Sequence, residues 1–520
     1  MGLIQLPTGI PYLTLTWLSL LVGALIITVL PGRQKEAMRW VAASVSLIAL
    51  VLNILVYIGY QPDGLTLQFV ERASWVPQFG ISYYVGADGI GLPMLLLTGV
   101  IMFTGSLISW SIEDRVKEYF VLLLLLVIGV YGVFMSLDLF LLFVFYELAV
   151  LPMYLLIGIW GSTRKEYGAM KLTLYLMVGS VFILIGMLGV YFSGQDAAGN
   201  RTFDLIALAN NSVFTRGFQV AFFMPMFTGF AILAGMFPFH TWSPTGHVAA
   251  PTAVSMIHAG VLMKLGAFGC LRVAMWIMPF GAQVWAPVIV GLTLLNVVYG
   301  ATIAMAQKDF KYVIGYSSVS HMGLVIMALS TMNRTGLNGA VLQMFAHGIM
   351  TGLFFAVVGR MVYERTHTRQ LPELGGLFYV MPFAGVMLII GGFSSMGMPG
   401  FAGFFAEFNI FVGIWERFPI VAIIAAISIP ITAAYILRVT RQVFFGEIRN
   451  PEFRRLPKLT WQEYTAGTIL ATLIIVFGLF PDLMHPLIDS GVRPIVQRLN
   501  ESAQVVQQFG NPLPFLGVGQ

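Results

Sequence analysis

Five ionisable side chains stand alone in the middle of long apolar stretches of this sequence. They are Glu147, Lys264, His321, His347 and Glu407. A charge at the centre of a bilayer costs about 2.5–3.5 kcal/mol on insertion scales. Carboxyl, amine and imidazole groups can all hold and release protons, and such residues inside membranes usually mark ion pathways. Their types and placement therefore indicate a proton or ion path within a membrane protein.

The composition is that of a chain that crosses a membrane many times. Of the 520 residues, 58% are hydrophobic and only 10% are charged, whereas an ordinary soluble domain is about 25% charged. The net charge of +5 comes from basic loops and does not indicate nucleic-acid binding. Cys270 is the only cysteine, which excludes an internal disulfide and any multi-cysteine iron–sulfur or zinc site.

Apolar runs long enough to span a bilayer recur from end to end, so we predict an all-α polytopic membrane protein with about fourteen transmembrane helices. Two of the runs contain glycine and proline that interrupt a helix: GMFPFHTWSP at 235–244 and SSMGMPGFAGF at 394–404. Interrupted helices in two halves are typical of a repeat transporter with its site near the breaks. The predicted spans are roughly 11–31, 39–60, 88–111, 118–137, 138–160, 168–193, 217–242, 251–275, 284–306, 311–331, 336–364, 381–413, 418–446 and 463–485.

Most lysine and arginine residues fall on one side of this array, in loops such as those with Arg33, Arg115, Lys165, Lys308 and Lys311. The positive-inside rule places these basic loops in the cytoplasm, which puts both termini outside. The longest polar insert, near 193–216, is too short for a domain of its own. We therefore expect a single membrane domain over residues 1–520.

Each of the five buried groups has a functional and a structural interpretation. Glu147 could hold a proton or form a structural hydrogen bond to a neighbouring helix, and Lys264 could switch its charge or form a fixed ion pair. Glu407 follows the second break, where a carboxyl can meet solvent from one side or cap the half-helix. His321 and His347, in adjacent spans, could relay protons, although a lone buried histidine is more often a core residue.

Three further residues have less specific signals. Lys171 lies in the sixth span near the basic face, where it either extends to solvent or reaches Glu147. His240 and His247 flank the loop after the seventh span. A metal site would need further ligands, and none is adjacent, so we expect a loop role such as proton entry. The sequence has no P-loop, dinucleotide-binding glycine motif or HExxH motif.

At these residues the chain resembles the antiporter-like membrane subunits of respiratory complex I, most closely those of the chain M type. The resemblance extends over all the predicted spans. It rests on FVFYELAVLPMYLLIGIWG (143–161), PFHTWSPTGHVAAPTA (238–253), AGVLMKLGAFGCLR (259–272), DFKYVIGYSSVSHMG (309–323), AHGIMTGLFF (346–355) and GMPGFAGFFAEF (397–408).

The resemblance implies fourteen helices in two inverted five-helix repeats, with helices seven and twelve broken. It divides the chain into N-terminal helices (1–117), a first repeat (118–275), a second repeat (284–446) and a C-terminal helix and tail (447–520). Six residues match proton-transfer residues of that family. They are Glu147 of the fifth-helix ion pair, Lys171 of helix six, the central Lys264, the relay residues His321 and His347, and the terminal acid Glu407.

The implied function is proton translocation by one subunit of the membrane arm of NADH:quinone oxidoreductase, a translocase, coupled to quinone reduction elsewhere in the complex. The chain would have no redox site and no metal of its own, with NAD, FMN, iron–sulfur clusters and quinone in partner subunits. Its partners would be other membrane-arm subunits, including neighbouring antiporter-like chains, in a lipid bilayer, most simply the bacterial inner membrane. No nucleic acid would be bound.

One position departs from the family pattern. The family has a lysine seven residues before the histidine of the HTW motif, and this chain has Leu233 there, with Gly235 in place of a nearby proline. Glu147 would then lack its usual cation. Two alternatives therefore stay open: a subunit of a multi-subunit cation/proton antiporter or membrane-bound hydrogenase, and a structural segment that conducts nothing.

Overall fold

The computed structural model describes residues 6, 7, 9–64 and 66–509, so the end of the predicted C-terminal tail lies outside the described residues. Within this part of the chain, 13 helices are long and apolar enough to cross a membrane. A shorter apolar helix, Pro382–Ser395, occupies the start of the twelfth predicted span. The prediction of a polytopic helical membrane protein is confirmed.

The N-terminal half contains nine helices in the described residues, and its first two are followed by a pair of strands. Their bounds are α1 (Tyr12–Val29), α2 (Lys35–Gly59), β1 (Gln68–Val76), β2 (Ile81–Ala87), α3 (Gly91–Ile108), α4 (Val116–Met135), α5 (Leu139–Trp160), α6 (Lys165–Ser193), α7 (Leu205–Asn211), α8 (Arg216–Ala234) and α9 (Trp242–Ala249).

The remaining described residues form the helices that carry most of the buried ionisable groups. Their bounds are α10 (Thr252–Met275), α11 (Pro279–Ala306), α12 (Phe310–Leu329), α13 (Arg334–Thr366), α14 (Pro382–Ser395), α15 (Ala402–Arg417), α16 (Pro419–Phe444), α17 (Trp461–Leu479) and α18 (His485–Phe509).

Short polar side chains fix where several helices begin. The Oδ1 atom of Asp138 accepts hydrogen bonds from the backbone N–H groups of Phe140 and Leu141, each at 3.0 Å, at the start of α5. Asp309 and Asn333 cap α12 and α13 in the same way. These bonds satisfy backbone donors that have no partner within the helix. The helices that carry Glu147, His321 and His347 therefore have defined starting points.

Glycine allows the helix backbones to approach closely around the site. A Cβ atom on Gly129 of α4 would lie 2.4 Å from the backbone nitrogen of Ala149 on α5. A Cβ atom on Gly266 of α10 would lie 2.4 Å from the backbone nitrogen of Ala234 on α8. Small residues at such crossings are the usual means of packing membrane helices. They bring α4 against the Glu147 helix and α8 against the Lys264 helix.

Both sequences with glycine and proline interrupt their helices. The chain leaves α8 at Gly235, with φ of 79°, and resumes helical structure at α9. It leaves α14 through Gly397 and Gly400, with φ of 64° and 90°, and resumes at α15. Glycine adopts positive φ at little cost because it has no Cβ atom. The two inverted five-helix repeats stay a prediction.

Two elements were not predicted from the sequence. β1 and β2 form an antiparallel hairpin that turns at Gly80, with φ of 67°. After α17 the chain forms α18, which buries an apolar face that includes Leu487, Val492 and Leu499. Neither element contains a long apolar run. Side chains of the strands point alternately to two faces, and α18 is amphipathic, with polar residues between its apolar ones.

A charged cluster joins α18 to the start of α13. Asp489 of α18 is buried, and both of its oxygens accept from Arg334 at 2.5 Å. It also accepts from Arg493 at 2.7 and 3.0 Å and from the Asn338 amide at 3.1 Å. Burial acts to raise the pKa of Asp489, but the hydrogen bonds from Arg334, Asn338 and Arg493 outweigh it and hold the pKa well below its usual range.

Candidate functional site

Lys264 lies at the centre of the molecule with no exposure to solvent. Its Nζ atom donates to the carbonyl of Ala259 and lies 2.7 Å from Nδ1 of His347. Ala259 belongs to a π-helical turn, His258–Leu262, within α10. Among the described residues no carboxylate lies within ion-pair distance of Lys264, so the structure does not support a fixed ion pair there.

The two predicted relay histidines lie side by side. The ring of His347 on α13 and the ring of His321 on α12 have centroids 5.3 Å apart. Nε2 of His321 lies 3.1 Å from the hydroxyl of Ser395, the last residue of α14. Both rings are almost completely buried. The histidines of two adjacent helices are therefore brought together next to the second helix break.

Glu407 lies at the end of this chain of groups. Its Oε1 atom is 3.2 Å from Nδ1 of His321, and the Gln343 amide lies 3.3 Å from both of those atoms. Glu407 is 8% exposed, and it lines a cavity of about 410 Å³. The other residues that line the cavity are apolar; they include Phe404, Phe408, Trp415 and Ile423. Lys264, His347, His321 and Glu407 thus form one continuous buried series.

Glu147 is not part of that series. Its Oε1 atom is buried and has no hydrogen-bond partner among the described residues, and Ser180 of α6 is the side chain that interacts with its carboxyl. Leu233, at the position of the expected lysine, is completely buried in the apolar core. Within the described residues, the structure therefore provides Glu147 with a hydroxyl and no cation in ion-pair contact.

Lys171 does not form an ion pair with Glu147 in the described structure. Its Nζ atom lies 3.5 Å from the hydroxyl of Thr245 on α9 and 5.8 Å from the centre of the Tyr167 ring. Contact with α9 places the Lys171 amine next to the first helix break. The Lys171 side chain thus neither contacts Glu147 nor extends fully into solvent, so the structure supports neither of the two alternatives.

The histidines after the first break are buried. His240 packs against Phe237 and Tyr299, with ring centroids 5.6 and 5.4 Å away. His247 lies on α9, and its ring centroid is 4.0 Å from that of His258 on α10. In the part of the chain that is described, no group of three His, Cys, Asp or Glu residues could hold a metal ion.

Sequence reasoning missed two buried titratable residues next to this site. His258 is completely buried six residues before Lys264 on the same helix, and a further histidine within a predicted apolar span was the signal that could have been used. The sequence places Lys311 in a basic loop, whereas the structure shows it only 2% exposed, with its Nζ atom donating to the carbonyl of Ala250 at 2.9 Å. Lys311 is the first residue of a predicted span, and the ends of spans are the least reliable part of such a prediction, so its burial could not be predicted.

Comparisons with known proteins agree with the resemblance seen in the motifs. A model of the family described as "NADH:quinone oxidoreductase/Mrp antiporter, TM" matches residues 136–432. The chain is 34% identical to NADH-quinone oxidoreductase subunit M of Rhodobacter capsulatus over 503 residues, covering 95% of this chain and 98% of the relative. It is 36% identical to NADH-quinone oxidoreductase subunit M of Rickettsia prowazekii, covering 91% of this chain and 96% of that relative.

Solved structures of membrane complexes contain chains with the same fold. A chain of respiratory complex I from Thermus thermophilus with bound NADH is 26% identical, with a TM-score of 0.84 over 94% of this chain and 99% of that chain. A chain of the Mrp complex from Dietzia sp. DQ12-45-1b shares the fold, with a TM-score of 0.78 and 19% identity over 95% of this chain and 99% of that chain. The molecule is a multi-pass membrane protein, and the chain belongs to the NADH:quinone oxidoreductase/Mrp antiporter transmembrane family.

Proposed function

We propose that this chain is a proton-translocating subunit in the membrane arm of an NADH:quinone oxidoreductase. The observation that carries the proposal is the buried series Lys264, His347, His321 and Glu407, in which successive groups lie within hydrogen-bond or ring-contact distance. Supporting it, the relatives that match nearly the whole chain are named as subunits of NADH-quinone oxidoreductase. In a purely structural helix bundle, each of these four protonatable groups would cost desolvation energy, which favours a role in proton transfer.

The geometry suggests the order of proton transfer. Nζ of Lys264 lies 2.7 Å from Nδ1 of His347. When Lys264 is protonated and Nδ1 carries no proton, the proton can move along this contact and leave a neutral amine. The proton then passes between the neighbouring rings to His321, through ring rotation or a water molecule. From Nδ1 of His321 it reaches Oε1 of Glu407 over 3.2 Å. Gln343 touches both atoms of that last contact and acts as a positioning residue.

The remaining features of the module follow from this order. Protons would enter from the basic, cytoplasmic face and leave toward the opposite side, where both termini lie. Moving one charge against 100 mV costs about 2.3 kcal/mol. Quinone reduction in partner subunits would supply this free energy. NAD, FMN, iron–sulfur clusters and quinone are proposed to reside in those subunits. Glu147 would be the gating charge. The membrane would be a bacterial inner membrane, and neighbouring antiporter-like chains would lie beside this subunit.

Replacement of Lys264 by alanine tests the proposal. The assembled complex with Lys264→Ala, reconstituted in vesicles, should keep its quinone-reductase activity but lose the protons moved by this module. Lys308→Ala is the matched control, because Lys308 is an exposed lysine of a basic loop, and it should pump normally. Normal proton flux with Lys264→Ala would refute the proposed function.

A second candidate is a subunit of a multi-subunit cation/proton antiporter, a function that the family description also covers. The observation that favours it is the departure at Leu233, which stands where the motif resemblance predicts a lysine. Among the described residues, Glu147 accordingly has no cation in ion-pair contact. Purification of the chain with its natural partners distinguishes the two: a quinone-reductase assembly supports the first function, and a purely transporting assembly the second. Leu233→Lys further tests a non-conducting role, because a rise in pumped protons would mean that the native module is impaired.

A further inference from the structure

Three tryptophans form a cluster at the end of the bundle that carries the basic loops, outside the proposed relay. The rings of Trp40 on α2 and Trp461 on α17 stack with centroids 5.9 Å apart. Trp110, which follows α3, packs edge-on against both rings, at 5.0 and 6.0 Å. Trp40 and Trp461 are 52% and 50% exposed, and within the described residues none of the three indole N–H groups donates a hydrogen bond. The cluster therefore offers aromatic surface and free donors to a ligand.

An exposed apolar strip of α2 continues from the tryptophan cluster. Leu47, Val51 and Ile54 follow Trp40 at 7, 11 and 14 residues, which places all four on one side of a helix with 3.6 residues per turn. Each of the three aliphatic side chains is between 38% and 45% exposed. At 1.5 Å per residue the strip is about 21 Å long, which exceeds half of the roughly 30 Å hydrocarbon core of a bilayer. The strip can therefore hold the acyl chains of one leaflet, with the tryptophans at headgroup level, the depth that tryptophan prefers.

A lysine lies beside the cluster with its charge unpaired. Lys458, three residues before Trp461, is exposed, and its ammonium group has no partner in the part of the chain that is described. The backbone at this point is held in place, because Arg365 of α13 donates to the carbonyls of Pro457 and Lys458 at 3.0 and 3.1 Å. Arg365 also donates two hydrogen bonds of 2.7 Å to the buried Glu463 of α17. The position of Lys458 is thus fixed before a ligand arrives, which reduces the ordering cost of binding.

The charges around the cluster favour an anion. Glu113 accepts from Lys35 at 3.0 Å and from Arg39 at 2.5 Å. Arg39 also pairs with Glu36, so both of these carboxylates are engaged. The connection 445–460 between α16 and α17 has four basic residues and two acidic ones, which are Arg449, Arg454, Arg455 and Lys458, and Glu447 and Glu452. This connection therefore brings a net positive charge to the cluster, which complements a negatively charged headgroup.

We propose that the tryptophan cluster and Lys458 form a binding site for one anionic phospholipid of the leaflet at the basic face. The indole N–H groups and the Lys458 ammonium group donate to the phosphodiester oxygens, and a hydrogen bond from an ammonium group to a phosphate is one of the strong kind. The acyl chains lie along the strip of α2 below Trp40. A zwitterionic headgroup is disfavoured, because it brings its own cation close to Lys458. The site is separate from the buried series of protonatable groups, and the inference does not depend on the proposed function.

Photo-crosslinking of the assembled complex in phosphatidylcholine vesicles tests the site. The probe is phosphatidylglycerol with a photoreactive group near its headgroup, present at a subsaturating level. Peptides that contain Trp40 and Trp461 should carry the adduct, and unlabelled phosphatidylglycerol should compete for it. In Lys458→Gln the adduct yield should fall about fivefold, since one basic residue near an anionic lipid contributes about 1 kcal/mol and 1.4 kcal/mol is a factor of ten. Lys308→Gln is the matched control, because Lys308 is an exposed lysine of another basic loop, and it should leave the yield unchanged.

Three results would overturn the inference. An adduct that added unlabelled phosphatidylglycerol does not reduce would mean ordinary contact with the bilayer and no selective site. The absence of any adduct on the peptides of Trp40 and Trp461 would mean that another subunit covers the cluster. An equal loss of yield in Lys458→Gln and Lys308→Gln would assign the effect to the overall charge of the basic face. Each of these outcomes leaves the Lys264→Ala test of the proposed function unaffected.

Discussion

Replacement of Asp489 by alanine should release α18 from the start of α13. Arg334 and Arg493 are 55% and 62% exposed, so each pair contributes no more than a surface value of about 1 kcal/mol. The buried hydrogen bond from Asn338 adds about 1 kcal/mol. The loss is therefore about 3 kcal/mol, and local opening of α18 should become about a hundredfold more frequent, since 1.4 kcal/mol is about a tenfold change.

Amide hydrogen exchange of the segment His485–Phe509 measures this opening directly. In the Asp489→Ala variant, exchange of the buried turns should become about a hundredfold faster by the same free-energy estimate. Asp482→Ala is the matched control, because Asp482 is an exposed carboxylate just before the helix, and its exchange should be unchanged. Exchange within about threefold of the unmodified protein would refute the view that the Asp489 cluster holds α18 in place.

The same cluster predicts a dependence on pH. The pKa of Asp489 is held below its usual range by Arg334, Asn338 and Arg493 despite burial. A lowered pKa in the folded state adds stability that is complete above the unfolded pKa of about 3.9 and is lost as the pH falls below it. The exchange rates of the unmodified protein and of Asp489→Ala should therefore differ at neutral pH and converge in acid below about pH 4. A constant difference across this range would contradict the assignment.

Further predictions concern the buried series. Lys264→Met should stop proton flux and change the free energy of unfolding by less than about 2 kcal/mol, because the loss of the hydrogen bonds is nearly offset by removing the desolvation cost of a buried amine. A loss of about 3–5 kcal/mol in thermal unfolding would indicate a fixed ion pair instead. Gly397→Ala should reduce flux, because its Cβ atom would lie 2.8 Å from Oε2 of Glu407. Gly400→Ala has the same backbone constraint but meets only Leu479, at 3.8 Å, so equal flux losses in the two variants would rule out displacement of Glu407. Glu407→Gln keeps the shape of the side chain but cannot take up a proton, and normal flux in this variant would remove Glu407 from the path.

The sequence predicted the apolar spans and the two interruptions, and it singled out Lys264, His347, His321 and Glu407 as candidate proton-transfer residues. Spans could be predicted because a bilayer requires long, continuous apolar helices. The breaks could be predicted because proline and glycine have strong local preferences. The four residues could be singled out because the motifs that surround them resemble one family throughout.

Other features depend on contacts that no local pattern specifies. The isolation of Glu147 depends on how α5 packs against α6, and the burial of Lys311 depends on where α9 ends. His258 was overlooked because a buried histidine beside a more conspicuous lysine looks like an ordinary core residue until its neighbours are known. The hairpin β1–β2 and the amphipathic α18 lie outside the long apolar runs and left no comparable signal.

The complete enclosure of two central helices has a consequence for how the protein is made. The most apolar windows of α10 and α13 are 100% buried inside the bundle, whereas that of α6 is 33% buried. α10 and α13 carry Lys264 and His347, so they enter the bilayer with polar groups that only other helices of this chain can shield. We expect their insertion to be completed late in synthesis, after the peripheral helices are available as neighbours. Substitutions that disrupt those outer helices should then lead to degradation of the chain during biogenesis, and not to assembled complexes with reduced activity.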